Sequence, residues 1–151
     1  FLKIADRLPD QEFQIAGTLY DKSLTSEVED RDNITHLGWC DDMREVYATT
    51  KILTIPSTYQ EGGNRIIAEA FVNGIPVIGS DLGGIPDYVG DGGIVVKDYT
   101  DVDAWTAAVQ DLIDDPESYD TYSRQARQRA ELFELEGRVD EFESILQSIS
   151  S

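Results

Sequence analysis

Cysteine and histidine are almost absent from this sequence, and their scarcity excludes several kinds of chemistry. The single cysteine, Cys40, cannot form a disulfide within the chain, and such a chain is compatible with the cytoplasm. The single histidine, His36, argues against a histidine-rich metal site, and no Gly-x-Ser-x-Gly turn supports a Ser-His-Asp triad. We expect both residues to be structural: Cys40 small and buried, and His36 partly buried at the end of a strand.

Positive charge is also scarce, and long apolar runs are missing. Twelve Lys and Arg residues face 30 Asp and Glu residues, which gives a formal net charge of −18 and a pI near 4.1. A surface this acidic repels phosphate polymers and anionic headgroups, which argues against binding to nucleic acid or to an anionic membrane. No apolar run reaches the roughly 18 residues of a membrane span, and the first residues do not resemble a signal peptide. We therefore expect a cytoplasmic protein.

Acidic residues are abundant in the sequence and are spread along the whole chain. Asp residues number 18 and Glu residues 12, with no acidic tail of the kind typical of a disordered arm. Leu, Ile, Val and Phe still make up about a quarter of the chain, which is enough for a folded core. Because net charge destabilises a compact state and dissolved salt screens the repulsion, we hypothesise a protein adapted to concentrated salt.

Short apolar segments alternate with helical patterns along the chain. Apolar, β-branched runs predict strands over 12–16, 33–37, 51–55, 76–79 and 93–96. Periodic apolar positions predict helices over 41–48, 64–73, 100–114, 116–132 and 136–149. This alternation is typical of a parallel sheet covered on both faces. Residues 1–151 are thus predicted to form one α/β domain with a doubly wound parallel sheet, which binds ligands at the carboxyl ends of its strands.

Two loops that follow predicted strands are rich in glycine. The first, 56–64, contains Gly62 and Gly63 where a helix is predicted to begin. Glycines let backbone N–H groups approach an anion at the positive end of a helix dipole, so this loop is a candidate phosphate site. The second loop, 79–87, contains another pair of glycines. It is either a second backbone cradle or a tight turn, and the residues alone do not decide between them.

Two glutamates accompany the first loop. Glu61 lies just before the predicted helix, where its carboxylate can accept hydrogen bonds from the hydroxyls of a polyol. Glu69 lies two turns inside the helix and reaches the same crevice only if that face turns toward the ligand. Glu69 also stands four residues after Arg65 and four before Asn73, so the residues alone favour a solvated i,i+4 pair. The spacing leaves both interpretations of Glu69 open.

Several blocks of this sequence together closely resemble the donor-binding half of family-four retaining glycosyltransferases, which have the GT-B fold. The spacing Glu61-x7-Glu69 is similar to the paired-glutamate motif of that family. The other similar blocks follow the family's order along nearly the whole chain, at 34–39, 56–57, 61–62, 69–70, 74–78, 80–86, 92–96 and 123–133. The resemblance implies that the predicted sheet is the Rossmann-like C-terminal domain of such an enzyme.

The resemblance also implies a role for each residue of the first loop. Glu61 would contact hydroxyls of the donor sugar, orient it, and favour the positive charge that develops at the anomeric carbon. Glu69 would bind the ribose hydroxyls of the nucleotide, and the turn Gly62-Gly63-Asn64-Arg65 would face the pyrophosphate. The implied reaction moves a glycosyl group from a nucleotide-diphosphate sugar to a carbohydrate or lipid-linked acceptor with retention. No metal and no further cofactor are implied, and Glu61 is the implied catalytic residue.

The sequence departs from the family pattern in ways that bear on the site. The family usually has an aromatic residue and a glycine where this chain has Gly63 and Asn64, and a glutamate in place of Asp87. The resemblance further implies an earlier strand, a loop whose Arg and Lys bind the pyrophosphate, and an acceptor-binding domain. We therefore expect this chain to be a fragment of a larger two-domain enzyme, lacking its first strand and inactive alone. Any association with a membrane would come through the acceptor domain.

Two other classes of function remain open. The same fold can serve as a non-catalytic module that binds nucleotide sugars or carbohydrates. A receiver-like signalling domain needs acids at strand ends, whereas Asp41 and Asp42 open a predicted helix, where interaction with the helix dipole explains them. Trp39 and Trp105 are predicted to be packing residues, with stacking against a sugar as the alternative.

Overall fold

The computed structural model describes residues 1–62, 64–133 and 147, in which helices alternate with short parallel strands. The helices are α1 (Leu2–Arg7), α2 (Lys22–Glu29), α3 (Met43–Thr49), α4 (Arg65–Val72), α5 (Ile85–Val89), α6 (Val102–Asp114) and α7 (Pro116–Ala130). The strands are β1 (Phe13–Ala16), β2 (Ile34–Gly38), β3 (Leu53–Ile55), β4 (Val77–Ser80) and β5 (Gly93–Val96). Short 3-10 turns cover Gly90–Gly92 and Glu131–Phe133.

All five predicted strands and four of the predicted helices are present, with ends within two residues of the prediction. The periodic patterns did not predict α1 and α5, which are only six and five residues long, or α2, which has one buried residue, Val28. The helix predicted over 136–149 lies outside the described residues except for Gln147. Periodicity thus missed the two shortest helices and one helix that buries little.

The strands form two parallel sheets in place of the single sheet that was predicted. β1 pairs with β2, and β4 lies between β3 and β5. Between the two sheets the described residues form no strand ladder. Side chains join them instead: Phe13 of β1 and Ile52 before β3 pack into the same apolar cluster as α1 and α6. The predicted α/β arrangement with parallel strands is confirmed, and among the described residues its strands divide into two sheets.

Helices cover both faces of the three-stranded sheet. Consecutive strand residues face opposite sides, and Val77 and Ile78 of β4 lie in different core clusters. Val77 packs with Phe71 of α4 and with α5 and α7, whereas Ile78 packs with α1 and with Trp105 of α6. Phe71 and Trp105 are both buried, so each face of the sheet has a large aromatic anchor. The predicted packing role of Trp105 is confirmed.

Aspartates begin many of these helices. Asp21, Asp42, Asp101 and Asp115 each accept a hydrogen bond from a backbone N–H of the first helical turn of α2, α3, α6 and α7. Such a cap stabilises a helix by about 1 kcal/mol. A share of the dispersed acid therefore has a local structural role, which agrees with the prediction that Asp41 and Asp42 open a helix. In the described part of the chain, no helix combines the length and apolar character needed to cross a bilayer.

Candidate functional site

The loops after β3 and β4 meet at the carboxyl edge of the three-stranded sheet. The Gly84 N–H donates to the Glu61 carbonyl oxygen over 2.7 Å. Gly83 has a φ of +58°, and a Cβ at this position would overlap the backbone of Glu61. Glycine is therefore required at 83 both for conformation and for close approach. The second glycine loop is, in this structure, a tight turn that braces the first.

The Glu61 carboxylate is held at both oxygens. The Ser57 hydroxyl donates to Oε1, and the Asn64 side-chain amide donates to Oε2 over 2.8 Å. These donors stand at the start of the loop and at its junction with α4, so the carboxylate ties the two ends of the loop together. A carboxylate has about four acceptor positions, and two remain for hydroxyl groups of a ligand. Glu61 is partly buried, which leaves it accessible from the carboxyl edge.

Asn64 explains one departure from the family pattern. Its side-chain oxygen accepts from the Ile66 N–H over 3.2 Å, which caps α4, while its amide nitrogen donates to Glu61. The residue that replaces the family's glycine thus begins the helix and fixes the glutamate. Nearby, a Cβ added to the exposed Gly62 would meet no atom of the described residues within 4 Å, its chain neighbours aside. Gly63, the other predicted site glycine, lies outside the described residues.

The carboxylate of Glu69 lies between α4 and α3. Its Oε1 is 2.9 Å from Nε of Arg65, and its Oε2 accepts from the Tyr47 hydroxyl over 2.8 Å. The Arg65 side chain is 89% exposed, whereas Tyr47 belongs to the core beneath α4. The expected i,i+4 pair with Arg65 is therefore present, but Asn73 donates to the backbone oxygen of Glu69 rather than to its carboxylate. Glu69 is not a purely solvated residue, because a buried tyrosine holds it.

Tyr47 is the member of this site that the sequence analysis missed. Burial, followed by the hydrogen bond and the negative charge of Glu69, raises the pKa of the Tyr47 hydroxyl above its ordinary value of 10.0. The hydroxyl thus remains a proton donor throughout the neutral range. In sequence, Tyr47 is one more apolar position on the inner face of α3, 22 residues from Glu69, and no local spacing links the two. Only the packing of α3 against α4 brings them together.

Three residues outside this loop differ from their predicted environments. Trp39 is 77% exposed rather than packed, and its Nε1–H donates to Asp41 over 2.9 Å. His36 is exposed rather than partly buried, and its Nε2 lies 2.8 Å from the Gly17 carbonyl oxygen. Cys40 is only partly buried. All three follow from the position of β2 at the edge of a two-stranded sheet, where only Ile34 of the strand is buried.

Other candidate sites are weaker. Among the described residues, no group of three or more His, Cys, Asp or Glu side chains has the arrangement of a metal site. A shallow groove lined by Pro116, Glu117 and Asp120 runs along the first turns of α7. There the Tyr119 hydroxyl donates to the carbonyl oxygen of Lys51, just before β3 begins, so the groove lies at the amino edge of the sheet. Of the predicted site residues, Glu61 and Asn64 meet in the loop at the carboxyl edge, whereas Glu69 lies further along α4 against Tyr47.

Comparison with known proteins shows the family of this chain. Residues 1–129 match the family model described as glycosyl transferases group 1. The chain belongs to the group 1 glycosyltransferase family. The D-inositol 3-phosphate glycosyltransferase of Corynebacterium kroppenstedtii is 38% identical over 77 residues, which are 50% of this chain and 17% of the relative. The O-antigen chain mannosyltransferase B of Escherichia coli is 40% identical over 85 residues, 54% of this chain and 22% of the relative.

Solved structures share the fold of this group 1 glycosyltransferase domain. The Anabaena protein HepE, solved in complex with UDP, has a TM-score of 0.83 at 20% identity, covering 97% of this chain and 44% of that one. A glycosyltransferase from Rickettsia africae has a TM-score of 0.84 at 16% identity, covering 99% of this chain and 43% of that one. The likeness confirms the predicted α/β fold with parallel strands, as found in the Rossmann-like domains of GT-B glycosyltransferases. The chain spans less than half the length of each of these proteins.

Proposed function

We propose that this domain binds the nucleotide-diphosphate sugar of a family-four retaining glycosyltransferase. The observation that carries the proposal is the Glu61 carboxylate, fixed by Ser57 and Asn64 at the carboxyl edge, directly before the first turn of α4. A ligand there meets a carboxylate with unused acceptor positions and the positive end of a helix dipole. A sugar joined to a phosphate group satisfies both features at once.

The roles of the individual residues follow the chain from the loop into the helix. Glu61 orients the sugar through its hydroxyls and favours positive charge at the anomeric carbon, and it is the residue closest to the chemistry. Gly62, Gly63, Asn64 and Arg65 face the pyrophosphate. Gly62 supports this assignment, because the protein itself leaves space beside it that a ligand can occupy. Glu69 receives the ribose hydroxyls.

The complete enzyme extends this proposal beyond the described domain. We propose a second domain that binds a carbohydrate or lipid-linked acceptor, and a loop outside this chain with an Arg and a Lys for the pyrophosphate. Within the predicted site Arg65 is the only cation, while Glu61 and Glu69 are both acids. Further cations would offset the repulsion between these acids and the donor. The proposal places the enzyme in the cytoplasm and uses no metal ion.

The nature of the donor is supported by the proteins that share this fold. HepE is described in complex with UDP and also with UDP-glucose, and a pneumococcal O-GlcNAc transferase of the same fold is described with UDP and GlcNAc. The transferred sugar differs within the family, since one relative is named a mannosyltransferase. We therefore take UDP, GDP and UDP-glucose as the probes for this protein.

Calorimetric titration of the full-length protein with UDP, GDP and UDP-glucose tests the proposal. We expect saturable binding of at least one nucleoside diphosphate. Glu61→Gln keeps the side-chain shape but loses the charge, and it should weaken binding of the matching nucleotide sugar about tenfold while changing nucleoside diphosphate binding less. Gly62→Ala should weaken both, because its methyl group enters the space assigned to the pyrophosphate.

Two controls sharpen this test. Tyr119→Phe removes a hydroxyl at the amino edge of the sheet and should bind all probes as the wild type does. EDTA should leave binding unchanged. A protein that binds no nucleotide, or a Glu61→Gln variant that binds and transfers sugar normally, contradicts the proposal. Normal donor binding without any glycosyl transfer or donor hydrolysis would instead identify a non-catalytic binding module.

We also propose that the protein is adapted to concentrated salt. The support is the net charge of −18 together with the spread of acids over the chain. Several of these acids cap helices, but most of the 30 are not at cap positions. Their mutual repulsion is unfavourable at low ionic strength and is screened at high ionic strength.

A further inference from the structure

Tyr47 stands in an unusual position for a core residue, because its hydroxyl reaches a functional carboxylate. Its ring packs in the core cluster with Ile67, Ala70 and Phe71, and only 7% of the residue is exposed. Its hydroxyl donates to Oε2 of Glu69 over 2.8 Å. Core packing alone would be satisfied by phenylalanine, so the hydroxyl is explained only by its contact with Glu69.

We propose that Tyr47 is a positioning residue for the donor nucleotide and that it makes the site selective for a ribose with both hydroxyls. The inference rests on the proposed function, in which Glu69 receives the ribose. It extends that function by naming the group that sets the orientation of Glu69 and the part of the donor that this orientation recognises.

Two groups hold Glu69, and only one of them is rigid. Arg65 contacts Oε1 from a side chain that is 89% exposed, so solvent screens this pair and it fixes little. Tyr47 contacts Oε2 from the packed core, where the surrounding side chains hold its ring in place. A hydrogen bond to a charged acceptor is also stronger than one between neutral groups. The orientation of the carboxylate is therefore determined mainly by Tyr47.

The remaining acceptor positions of Glu69 suit a pair of hydroxyls. Each carboxylate oxygen has about two acceptor positions, and each already uses one. About one acceptor position per oxygen remains, and two positions suit the 2′- and 3′-hydroxyls of a ribose. A carboxylate that rotates freely meets both hydroxyls only part of the time, whereas one fixed by Tyr47 presents both oxygens together.

The test compares ribose with 2′-deoxyribose as ligands of the full-length protein. UDP is titrated against 2′-deoxyuridine diphosphate, and GDP against 2′-deoxyguanosine diphosphate, with wild type and Tyr47→Phe. For the pair that binds, we expect the wild type to prefer the ribonucleotide. Tyr47→Phe should weaken ribonucleotide binding about tenfold and leave 2′-deoxyribonucleotide binding nearly unchanged, so that the preference is lost. In transfer assays KM for the donor should rise while kcat changes little.

Glu69→Gln provides a second measurement that leaves the core intact. It should lose the same preference, and adding Tyr47→Phe to it should have no further effect, because the two residues act as one unit. Tyr119→Phe is the matched control, since it also removes a hydroxyl bonded to a fixed acceptor, and it should retain the wild-type preference.

The outcomes separate this inference from the proposed function. If Tyr47→Phe weakened the binding of ribonucleotide and 2′-deoxyribonucleotide by the same factor, the hydroxyl would have a merely structural role, and the inference would be overturned. A Tyr47→Phe or Glu69→Gln variant with the wild-type preference would overturn it as well, and in both cases donor binding itself would stand. A wild-type protein that binds no nucleoside diphosphate would overturn the proposed function and this inference together.

Discussion

At the scale of single residues, the site depends on carboxylates whose hydrogen-bond partners fix them. Glu61 is tied to both ends of its loop, and Glu69 is tied to the core through Tyr47. The sequence allowed Glu61 and Glu69 to be predicted as site residues, because their spacing resembles a family motif and Glu61 lies in the loop after β3. It did not allow the partners to be identified, since hydrogen bonds between different elements have no fixed spacing along the chain.

Tyr47 also makes the free energy of unfolding depend on pH in the alkaline range. The pKa of its hydroxyl is raised in the folded state above the value of about 10 expected in the unfolded chain. The unfolded state therefore releases this proton first as pH rises. The stabilisation is complete below about pH 10 and is lost as pH increases toward the folded-state pKa.

Urea unfolding at several pH values above about 9 measures this loss. We expect the free energy of unfolding of the wild type to fall more steeply with pH than that of Tyr47→Phe, which has no proton to lose at this position. If the free energy of unfolding fell equally with pH in the two proteins, the Tyr47 hydroxyl would not be held by burial and by Glu69 as described above.

At the scale of elements, glycines set how closely the strands and loops approach. Gly74 ends α4 with a φ of +68°, and the bonds from Gly74 N–H to Phe71 and from Ile75 N–H to Ala70 complete the helix end. The sequence predicted this stop correctly, because Gly followed by Pro two residues later is a strong local signal. It could not predict that Gly83 braces Glu61, because that contact depends on the pairing of β3 with β4.

Gly93 offers a direct test of the sheet. It pairs with Val77 in the register of β4 and β5, and a Cβ at this position would overlap the Val77 carbonyl oxygen. Gly93→Ala should therefore force the two strands apart and lower the free energy of unfolding by about 2–4 kcal/mol. Gly62→Ala is the matched control, with open space at its Cβ, and should change stability by no more than about 0.5 kcal/mol. Equal stability of the two variants in urea would contradict the register.

At the scale of the whole molecule, composition and apolar pattern predicted a parallel α/β fold but not the division of its strands into two sheets. The alternation of strand and helix patterns along the sequence was enough to predict the parallel α/β arrangement. The junction between the two sheets and the exposure of Trp39 depend on which strand lies at which edge, and no local pattern encodes that. The many Asp and Glu residues predicted an acidic surface. In the described part of the chain, four of the aspartates also cap helices.

The net charge leads to a prediction for the whole protein. Unfolding by urea, followed by far-UV circular dichroism, should show a free energy of unfolding that rises by more than about 1 kcal/mol between low salt and about 2 M KCl. A variant with Glu29→Gln, Asp32→Asn and Asp111→Asn, at exposed positions outside the first turn of any described helix, should be more stable at low salt and gain less from KCl. Full stability of the wild type near zero salt would contradict adaptation to salt.

The central claim is that the loop between β3 and α4 binds a nucleotide-sugar donor, and one calorimetric comparison tests it most directly. The full-length wild type and Gly62→Ala are titrated with UDP, GDP and UDP-glucose under identical conditions. Among the described residues, no atom beyond the chain neighbours of Gly62 lies within 4 Å of a Cβ at this position, so we expect the added methyl group to act on a bound ligand rather than on the fold. The account predicts saturable binding by the wild type and at least about tenfold weaker binding by Gly62→Ala, with equal melting temperatures. Equal affinities, or no binding by the wild type to any of the three, would contradict it.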